Sequence, residues 1–551
     1  MKKSAFCPAK NGSDRPTLPK ISCIFVAVKK SLTSRRILAV VLSVVALSPA
    51  WLGGSGLSLL VALIPLLWIS STYGDDTRSW WRMFGWALLT FVGWNVATVW
   101  WIWNATPVGP IAATICSSTL NMLAFMTWHT LSKRAPKALA YTLLVAGWIT
   151  TEYWYTVGEF SWPWLILGNG FSHDIRLIQW YEYTGVFGGS LWVLLSNILI
   201  FEAMRSMEPR RWWVAGGWVI LPILLSLGIY LGVENPEERA LVTALQPNVD
   251  CYEKFAGGDQ KQEENLMELL LEAPAEAEFI IAPETALTRY MDEERIGDYT
   301  HIRPFMDTIR HRYPHSTFIS GANTLRFYPP GKQTETARAG HGYWYDHFNT
   351  ALALDSTGVQ GLYHKGRLVI GVENTPSWVF RVMNFLVVDL GGVLGQIGVG
   401  QERFCFAAPS GVKAGSAICY EGLYGDFYGD FVRQGAELML IISNDGWWGD
   451  TPGYRHLFSL SRLRAVEHRR AIARSANTGK SGFIDCRGDE VGPSLGWEER
   501  GVISYALPLN REITLYTRYG DYIGRLAQLV AGLALLYYLA WRIKRKNYLV
   551  G

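Results

Sequence analysis

Glu437-Leu-Met-Leu-Ile-Ile-Ser443, followed at once by Asn444-Asp445-Gly446, is the stretch on which the fold turns. Its apolar residues run without alternation, which predicts a strand covered on both faces; a sheet with one wet face alternates apolar with polar side chains. Asn-Asp-Gly is a turn signal that ends it. Working outward, β-rich runs of similar length occur at 241–245, 278–282, 317–321, 350–354, 359–363, 415–419, 482–485 and 502–507. Helical patterns at 260–271, 303–312, 422–434 and 454–473 lie between several of them. Asp355-Ser-Thr-Gly358 and Asp485-Cys-Arg-Gly488 read as turns between strands. Strand–helix alternation with doubly buried strands predicts an α/β domain, and the number of strands fits two packed sheets with outer helices. Roughly 270 residues suffice for one such domain.

The flanks of this domain are different. Eight apolar stretches, at about 37–53, 55–71, 83–103, 108–131, 138–157, 184–203, 212–232 and 522–541, are candidate transmembrane helices. Basic residues mark every second connection: Arg35 and Arg36; Arg78 and Arg82; Lys133, Arg134 and Lys137; Arg205, Arg210 and Arg211; and Arg542, Lys544, Arg545 and Lys546. The intervening short connections, 53–56 and 104–109, carry no Lys or Arg. The positive-inside rule then expects both termini in the cytoplasm and the α/β domain on the opposite side. The expected organisation is a flexible basic tail (1–34), spans one to seven (35–235), the extracytoplasmic domain (236–512), and an eighth span with a basic cytoplasmic tail (513–551). The aromatic stretch between spans five and six, 158–183, is expected either to lie on the membrane surface or to act as an interfacial anchor.

Composition agrees. Of 551 residues, 49% are hydrophobic and 18% charged, below the roughly 25% charged content of soluble domains. Mean hydropathy is +0.10. The 25 Trp sit largely at the edges of apolar runs, as at a membrane interface. A net charge of +4 from 51 basic and 47 acidic residues is too balanced for a nucleic-acid binder. The 7 Cys form no CxxC pair and no metal-ligand spacing; most are expected to be small buried hydrophobes. No HExxH, Walker A or dinucleotide glycine pattern occurs in a plausible setting, so no metal or cofactor is expected.

Three segments at predicted strand ends carry chemistry. Ala282-Pro-Glu284-Thr285 puts a carboxylate just after a strand. Tyr363-His-Lys365 puts an amine there. Ala417-Ile-Cys419-Tyr-Glu421 puts a thiol where strand gives way to helix. Strand carboxyl ends are where sites collect in α/β folds, and a helix amino terminus favours a thiolate. Taken singly each signal is weak: a Glu after a strand commonly caps or is solvated, a lone Lys is usually solvated, and a Cys in an apolar strand is usually core.

Their order and surroundings carry more. The three resemble the Glu–Lys–Cys triad of the nitrilase, or carbon–nitrogen hydrolase, superfamily. With the eight spans they resemble its integral-membrane members, the apolipoprotein N-acyltransferases. Further markers are Phe160-Ser-Trp-Pro-Trp-Leu-Ile-Leu-Gly168, Ala244-Leu-Gln-Pro-Asn248, Ser443-Asn-Asp-Gly-Trp-Trp-Gly449, Arg464-Ala-Val-Glu467 and Arg474-Ser-Ala-Asn-Thr-Gly479. The resemblance implies an α-β-β-α nitrilase-like domain beside a multi-pass helical membrane domain. It implies Glu284 as general base, Cys419 as nucleophile and Lys365 as oxyanion stabiliser. Glu373, Tyr420 and Glu421 would support them, and Asn444, Trp447 and Phe255 would line the substrate entrance. Asn444-Asp445-Gly446 is equally a plain turn, and Trp447 equally an interfacial anchor. Ile370-Gly371-Val372 departs from the family's Pro-Phe-Gly, and the Gly-, Thr- and Arg-rich insertion around 329–342 reads as a surface loop.

The implied reaction moves an acyl chain from a phospholipid to Cys419 and then to the α-amino group of a diacylglyceryl-cysteine on an apolipoprotein. The implied setting is the bilayer of a bacterial inner membrane, with a monomer facing the periplasm. A tethered amidase acting on small amides would need the same triad but gives no reason for eight spans. A transporter or scaffold would call for ionisable residues within the spans, and these are few.

Overall fold

The structure is a computed structural model that describes residues 31–158, 161–252, 254, 258–370, 373 and 397–550. The membrane half is helical: α1 (Leu32–Leu47), α2 (Leu59–Ala62), α3 (Ile64–Ser71), α4 (Thr77–Val99), α5 (Gly109–Ser132), α6 (Lys137–Val157), α7 (Tyr181–Ser206), α8 (Pro209–Gly232) and, at the far end of the chain, α14 (Tyr522–Val550). Ser31 caps α1 by accepting the Ser34 N–H, and Asp76 does the same for α4 with Ser79. Six segments among the described residues are long and apolar enough to cross a membrane: Leu32–Trp51, Thr77–Asn104, Gly109–Ser132, Tyr181–Ser206, Pro209–Gly232 and Tyr522–Arg545. The other two expected spans are helical but different in kind. Gly56–Ser71 is a short, broken pair. Helix α6 is 21 residues long but carries Lys137, Thr150, Thr151 and Glu152, which lower its hydropathy. It packs along α14, so the two ends of the chain share one bundle.

Two sheets form the other half. The first has the order β14 (Gly501–Pro508), β1 (Arg239–Gln246), β2 (Phe279–Ile281), β4 (Thr317–Tyr328), β6 (Trp344–Asp355) and β5 (Arg338–Ala339), with β3 (Leu287–Asp292) on β4 and β7 (Gly358–His364) on β6. The second runs β13 (Glu490–Leu495), β12 (Ser481–Ile484), β11 (Ile472–Ala476), β10 (Leu438–Ser443), β9 (Lys413–Ile418) and β8 (Cys405–Ala407). Side-chain parity decides the layering. Phe279, Ile281 and Ile319 point into the core shared with the second sheet, while Ile280 and Phe318 join the core under α9 (Asp259–Glu272) and α10 (Arg303–Arg312). Helices α11 (Gly425–Arg433) and α12 (Pro452–His468) flank the second sheet, giving the expected α-β-β-α sandwich. Strand β10, on which the reading began, is buried at every position and pairs in parallel with both neighbours. A short helix, α13 (Leu515–Tyr519), leads to α14.

Two expectations are corrected. The helix expected over 454–473 stops at His468, where Arg469 takes a left-handed backbone (φ 50°), and Ile472–Ala476 becomes a fully buried strand. Pairing on both edges, with β10 and β12, overrides the helical preference of Arg-Ala-Ile-Ala-Arg. The described part of the 158–183 stretch does not spread over a surface. It folds into short turns whose Trp164, Leu165, Ile166 and Leu167 are buried between bundle and sandwich. The Glu152 carboxylate accepts the Leu167 N–H at 2.8 Å and fastens this stretch to the bundle. Gly168 makes the fit possible: a Cβ there would stand 1.9 Å from the Val186 carbonyl oxygen. The 329–342 insertion is mostly exposed and contributes the two-residue edge strand β5.

Candidate active site

Glu284, Lys365 and Cys419 follow the carboxyl ends of β2, β7 and β9, and the sandwich brings them together. Lys365 Nζ donates to Glu284 Oε1 at 2.8 Å and to Glu373 Oε1 at 2.9 Å. Cys419 lies close enough to Glu284 and Lys365 for their charges to act on its thiol. All three are buried, at 6%, 1% and 6% exposure for Glu284, Lys365 and Cys419. Gly321 on β4 lets that strand close on the Glu284 turn, since a Cβ would meet the Thr285 nitrogen at 2.3 Å.

Cys419 begins a 3-10 turn, Cys419–Leu423, and holds a left-handed backbone (φ 50°). Such a conformation costs a non-glycine residue of order 1 kcal/mol and persists only when its surroundings impose it. Glu421 imposes it. Its Oε2 accepts the Ile418 N–H at 2.7 Å; its Oε1 accepts Gly366 N–H at 2.6 Å, Tyr363 OH at 2.7 Å and Arg367 N–H at 3.3 Å. One carboxylate thereby ties the residue before Cys419 to the residue after Lys365. Glu373 plays a matching part, accepting from Lys365, from Asn349 Nδ2 at 3.1 Å and from Val369 N–H at 2.8 Å.

The electrostatics follow from burial and from this grouping. Burial opposes the Glu284 charge, but the Lys365 ammonium, the Asn349 amide and the Cys419 thiol outweigh it and hold its pKa below the ordinary carboxylate value. Burial likewise opposes the Lys365 charge, but Glu284 and Glu373 hold its pKa well above the ordinary value. Burial and then the Glu284 charge push the Cys419 thiol up, with Lys365 pulling the other way. The resting thiol is therefore protonated, with an ionised carboxylate near it and a cation beside that carboxylate.

The other expected residues divide. Tyr420 OH donates to the Ser161 carbonyl at 3.1 Å, and its ring lies 6.4 Å from that of Trp164, so it joins the nucleophile turn to the stretch from the bundle. The Asn444 N–H donates to Glu284 Oε2 at 3.1 Å, while its side-chain oxygen accepts from Asn477 and Cys251. Asn444 thus orients the carboxylate through its backbone. Trp447 is half-buried with its ring 5.5 Å from Tyr252. Trp448 beside it meets Trp101, at the end of a spanning segment, and Trp164, at 5.0 and 5.7 Å between ring centres. Phe255 lies outside the described residues.

Four contributors escaped sequence reasoning. Asn349 Nδ2 donates to Glu284 Oε1 at 2.7 Å. Lys254, 1% exposed, donates to the Glu284 carbonyl and to Thr285 Oγ1, both at 2.9 Å; burial lowers its pKa to about 8. Arg474 and Asp445 form a bidentate pair at 2.7 and 2.8 Å, both fully buried, and Asp445 holds the Ser443 hydroxyl next to Cys419. Arg474 and Asp445 lay inside quoted markers; Asn349 and Lys254 had no neighbours in sequence to flag them. No cluster of three or more potential metal ligands occurs among the described residues.

A carboxylate, an ammonium and a thiol gathered in one buried site can run acyl transfer: proton removal, attack by sulfur, and charge stabilisation at the resulting oxyanion. Comparison with known proteins agrees with the architecture. A carbon–nitrogen hydrolase family model matches residues 241–515, and a model of the apolipoprotein N-acyltransferase N-terminal domain matches residues 38–199. The apolipoprotein N-acyltransferase of Chlorobaculum tepidum is 29% identical over 498 residues, 86% of this chain and 90% of that protein. That of Geobacter metallireducens is 28% identical over 411 residues, 72% and 73% of the two chains. The crystal structure of Saccharomyces cerevisiae Nit3, of the nitrilase superfamily, aligns over 50% of this chain and 92% of its own at 16% identity, with a TM-score of 0.35.

Proposed function

From the premise that the chain belongs to the apolipoprotein N-acyltransferase family, matched in both its membrane and its sandwich halves, we propose that it N-acylates lipoproteins by a two-step route through Cys419. It is a bacterial membrane protein and an acyltransferase. In the first step Glu284 takes the thiol proton as sulfur attacks the ester carbonyl of a phospholipid. The oxyanion forms beside the Lys365 ammonium. Its collapse expels the glycerol oxygen, which takes the proton from Glu284 and leaves as lysophospholipid. In the second step the α-amino group of a diacylglyceryl-cysteine gives a proton to Glu284 and attacks the thioester. The amide forms, and Cys419 is released to take its proton back.

The observation that carries this reading is the buried grouping of Cys419 with the hydrogen-bonded pair Glu284–Lys365, where Trp164 and Trp448 meet the end of a spanning segment. A thiol with a raised pKa has to lose its proton during attack, and the ionised Glu284 carboxylate stands near enough to act on it. The alternation of basic connections supports a catalytic unit, about 236–512, on the periplasmic side with both termini cytoplasmic. The chain works as a monomer in this scheme, since every group invoked comes from it. An amidase reading is not favoured, because small amides give no reason for the membrane half.

The test is incubation with acyl-labelled phospholipid and no acceptor. A hydroxylamine-labile label on the wild type, absent from Cys419→Ala, is expected. Label that appears only once acceptor is added would overturn the two-step route.

A further inference from the structure

Strand β6 carries Asn349 against the catalytic carboxylate, and its alternate residues Tyr345 and His347 share that face. Across the ladder, Asn349 pairs with Asn323, His347 with Leu325 and Tyr345 with Phe327. The face therefore runs unbroken from the candidate active site to an open groove of about 540 Å³ lined by Tyr290, Phe327, Tyr343, Tyr345 and His347. The rings form a continuous row. Tyr290 and His347 lie 4.6 Å apart, His347 and Tyr345 5.2 Å, and Phe327 and Tyr343 5.3 Å. Tyr290, Phe327 and Tyr343 are each more than 40% exposed. Arg338 acts electrostatically on Tyr290 and His347, and its buried Nη2 has no hydrogen-bond partner among the described residues.

We propose that this groove receives the extended polypeptide that follows the lipid-modified cysteine of the acceptor; the proposal rests on the acyltransferase reading above. Glu284 has two sides. Its Oε2 faces Asn444, whose loop leads to Trp448 and the spanning segments, the side from which lipid arrives. Its Oε1 faces Asn349 and the groove. An acceptor whose amine reaches Cys419 with its chains in lipid must lead its polypeptide away on the other side. From Asn349 to Tyr345 is about 14 Å along the strand, which about four extended residues span. The lining suits a polypeptide better than an acyl chain. It is open to water, and its Tyr hydroxyls and imidazole meet peptide carbonyls while the rings cover side chains, with the Arg338 guanidinium close behind Tyr290 and His347.

The test separates the half-reactions and the acceptor lengths. Full-length protein with Phe327→Ala and Tyr345→Ala together, and separately with Arg338→Gln, is given two acceptors that share the diacylglyceryl-cysteine. One carries a single further residue and the other at least six. Thioester formation from phospholipid alone is expected at the wild-type rate, which also reports intact folding. The KM for the long acceptor is expected to rise about tenfold and that for the short one to stay unchanged. Equal effects on both acceptors, or on neither, would overturn the groove assignment. So would slowed thioester formation, which would assign the groove to the lipid donor. Failure of the acyltransferase reading looks different: the wild type itself would then form no phospholipid-derived thioester.

Discussion

Glu421→Gln is the sharpest perturbation of the nucleophile turn. Glu421 is fully buried, and every group that touches it is a donor: Ile418 N–H on Oε2, and Gly366 N–H, Tyr363 OH and Arg367 N–H on Oε1. Four donors on two oxygens suit a carboxylate. Glutamine has one oxygen and brings an NH2 group of its own. Its better orientation keeps the three donors on the oxygen and turns NH2 toward Ile418. That strands one buried backbone N–H, at about 1–3 kcal/mol, and turns charge-assisted bonds into neutral ones, each weaker by roughly 1 kcal/mol. The loops on either side relax to relieve this, and they are the ones that carry Cys419 and Lys365. Attack requires the original spacing again, so about 3 kcal/mol of the relief reappears in the barrier, a rate loss of roughly 10²-fold. The assay is single-turnover thioester formation from labelled phospholipid. The expected result is a fall in the maximal rate with little change in the phospholipid concentration at half-saturation, because Glu421 meets no substrate. Glu421→Gln protein that is folded and forms thioester within about threefold of the wild-type rate would refute the reasoning.

Gly321→Ala places a methyl group 2.3 Å from the Thr285 nitrogen and 2.5 Å from Glu284 Cα, so the base must shift; thioester formation is expected to fall at least tenfold in a protein that still unfolds cooperatively. Arg474→Met leaves Asp445 buried and uncompensated, at about 3–5 kcal/mol, and a lowered unfolding midpoint in detergent checks it; adding Asp445→Leu should restore most of the loss, since the pair as a whole is far less costly to replace than to break. The Glu284 pKa is lowered in the fold, so its contribution to stability is complete above the ordinary value near 4.3 and disappears as pH falls through the lower folded value. Unfolding midpoints measured down the acid range should therefore fall less steeply for Glu284→Gln than for the wild type.

What the sequence made legible, and what it hid, has a physical basis. Strand β10 was readable because burial on both faces removes the need for polar side chains, and the composition records that directly. Glu284, Lys365 and Cys419 were readable because each follows the end of a strand, where side chains leave the sheet, and because their order is distinctive. Strand β11 was not: Arg474 lies within it as a fully buried cation, and nothing local reveals the Asp445 that neutralises it. Asn349 was hidden for the same reason. It sits mid-strand, and its role exists only because the fold brings Glu284 and Glu373, distant in sequence, to its amide. The 158–183 stretch was misjudged because buried and interfacial tryptophans look alike in sequence. What distinguishes Trp164 is the surface of Trp101, Trp448 and Tyr420 packed over it.

Buried contacts also explain why the Cys419 site and a helical bundle occur as one rigid object. Leu423 ends the turn that Cys419 begins, and its carbonyl accepts Arg464 Nη1 at 2.7 Å. Arg464 also holds the Glu467 carboxylate, and that carboxylate accepts the Val186 N–H in α7 at 3.1 Å, just past Gly185, where the helix breaks. Arg464 and Glu467 are both fully buried. Two buried charges joined to each other, to the nucleophile turn and to a spanning helix resist sliding, because separating any link strands a charge or a backbone donor out of water. A flexible linker would let the sulfur wander relative to the lipid. This linkage holds it at one depth relative to the spanning helices.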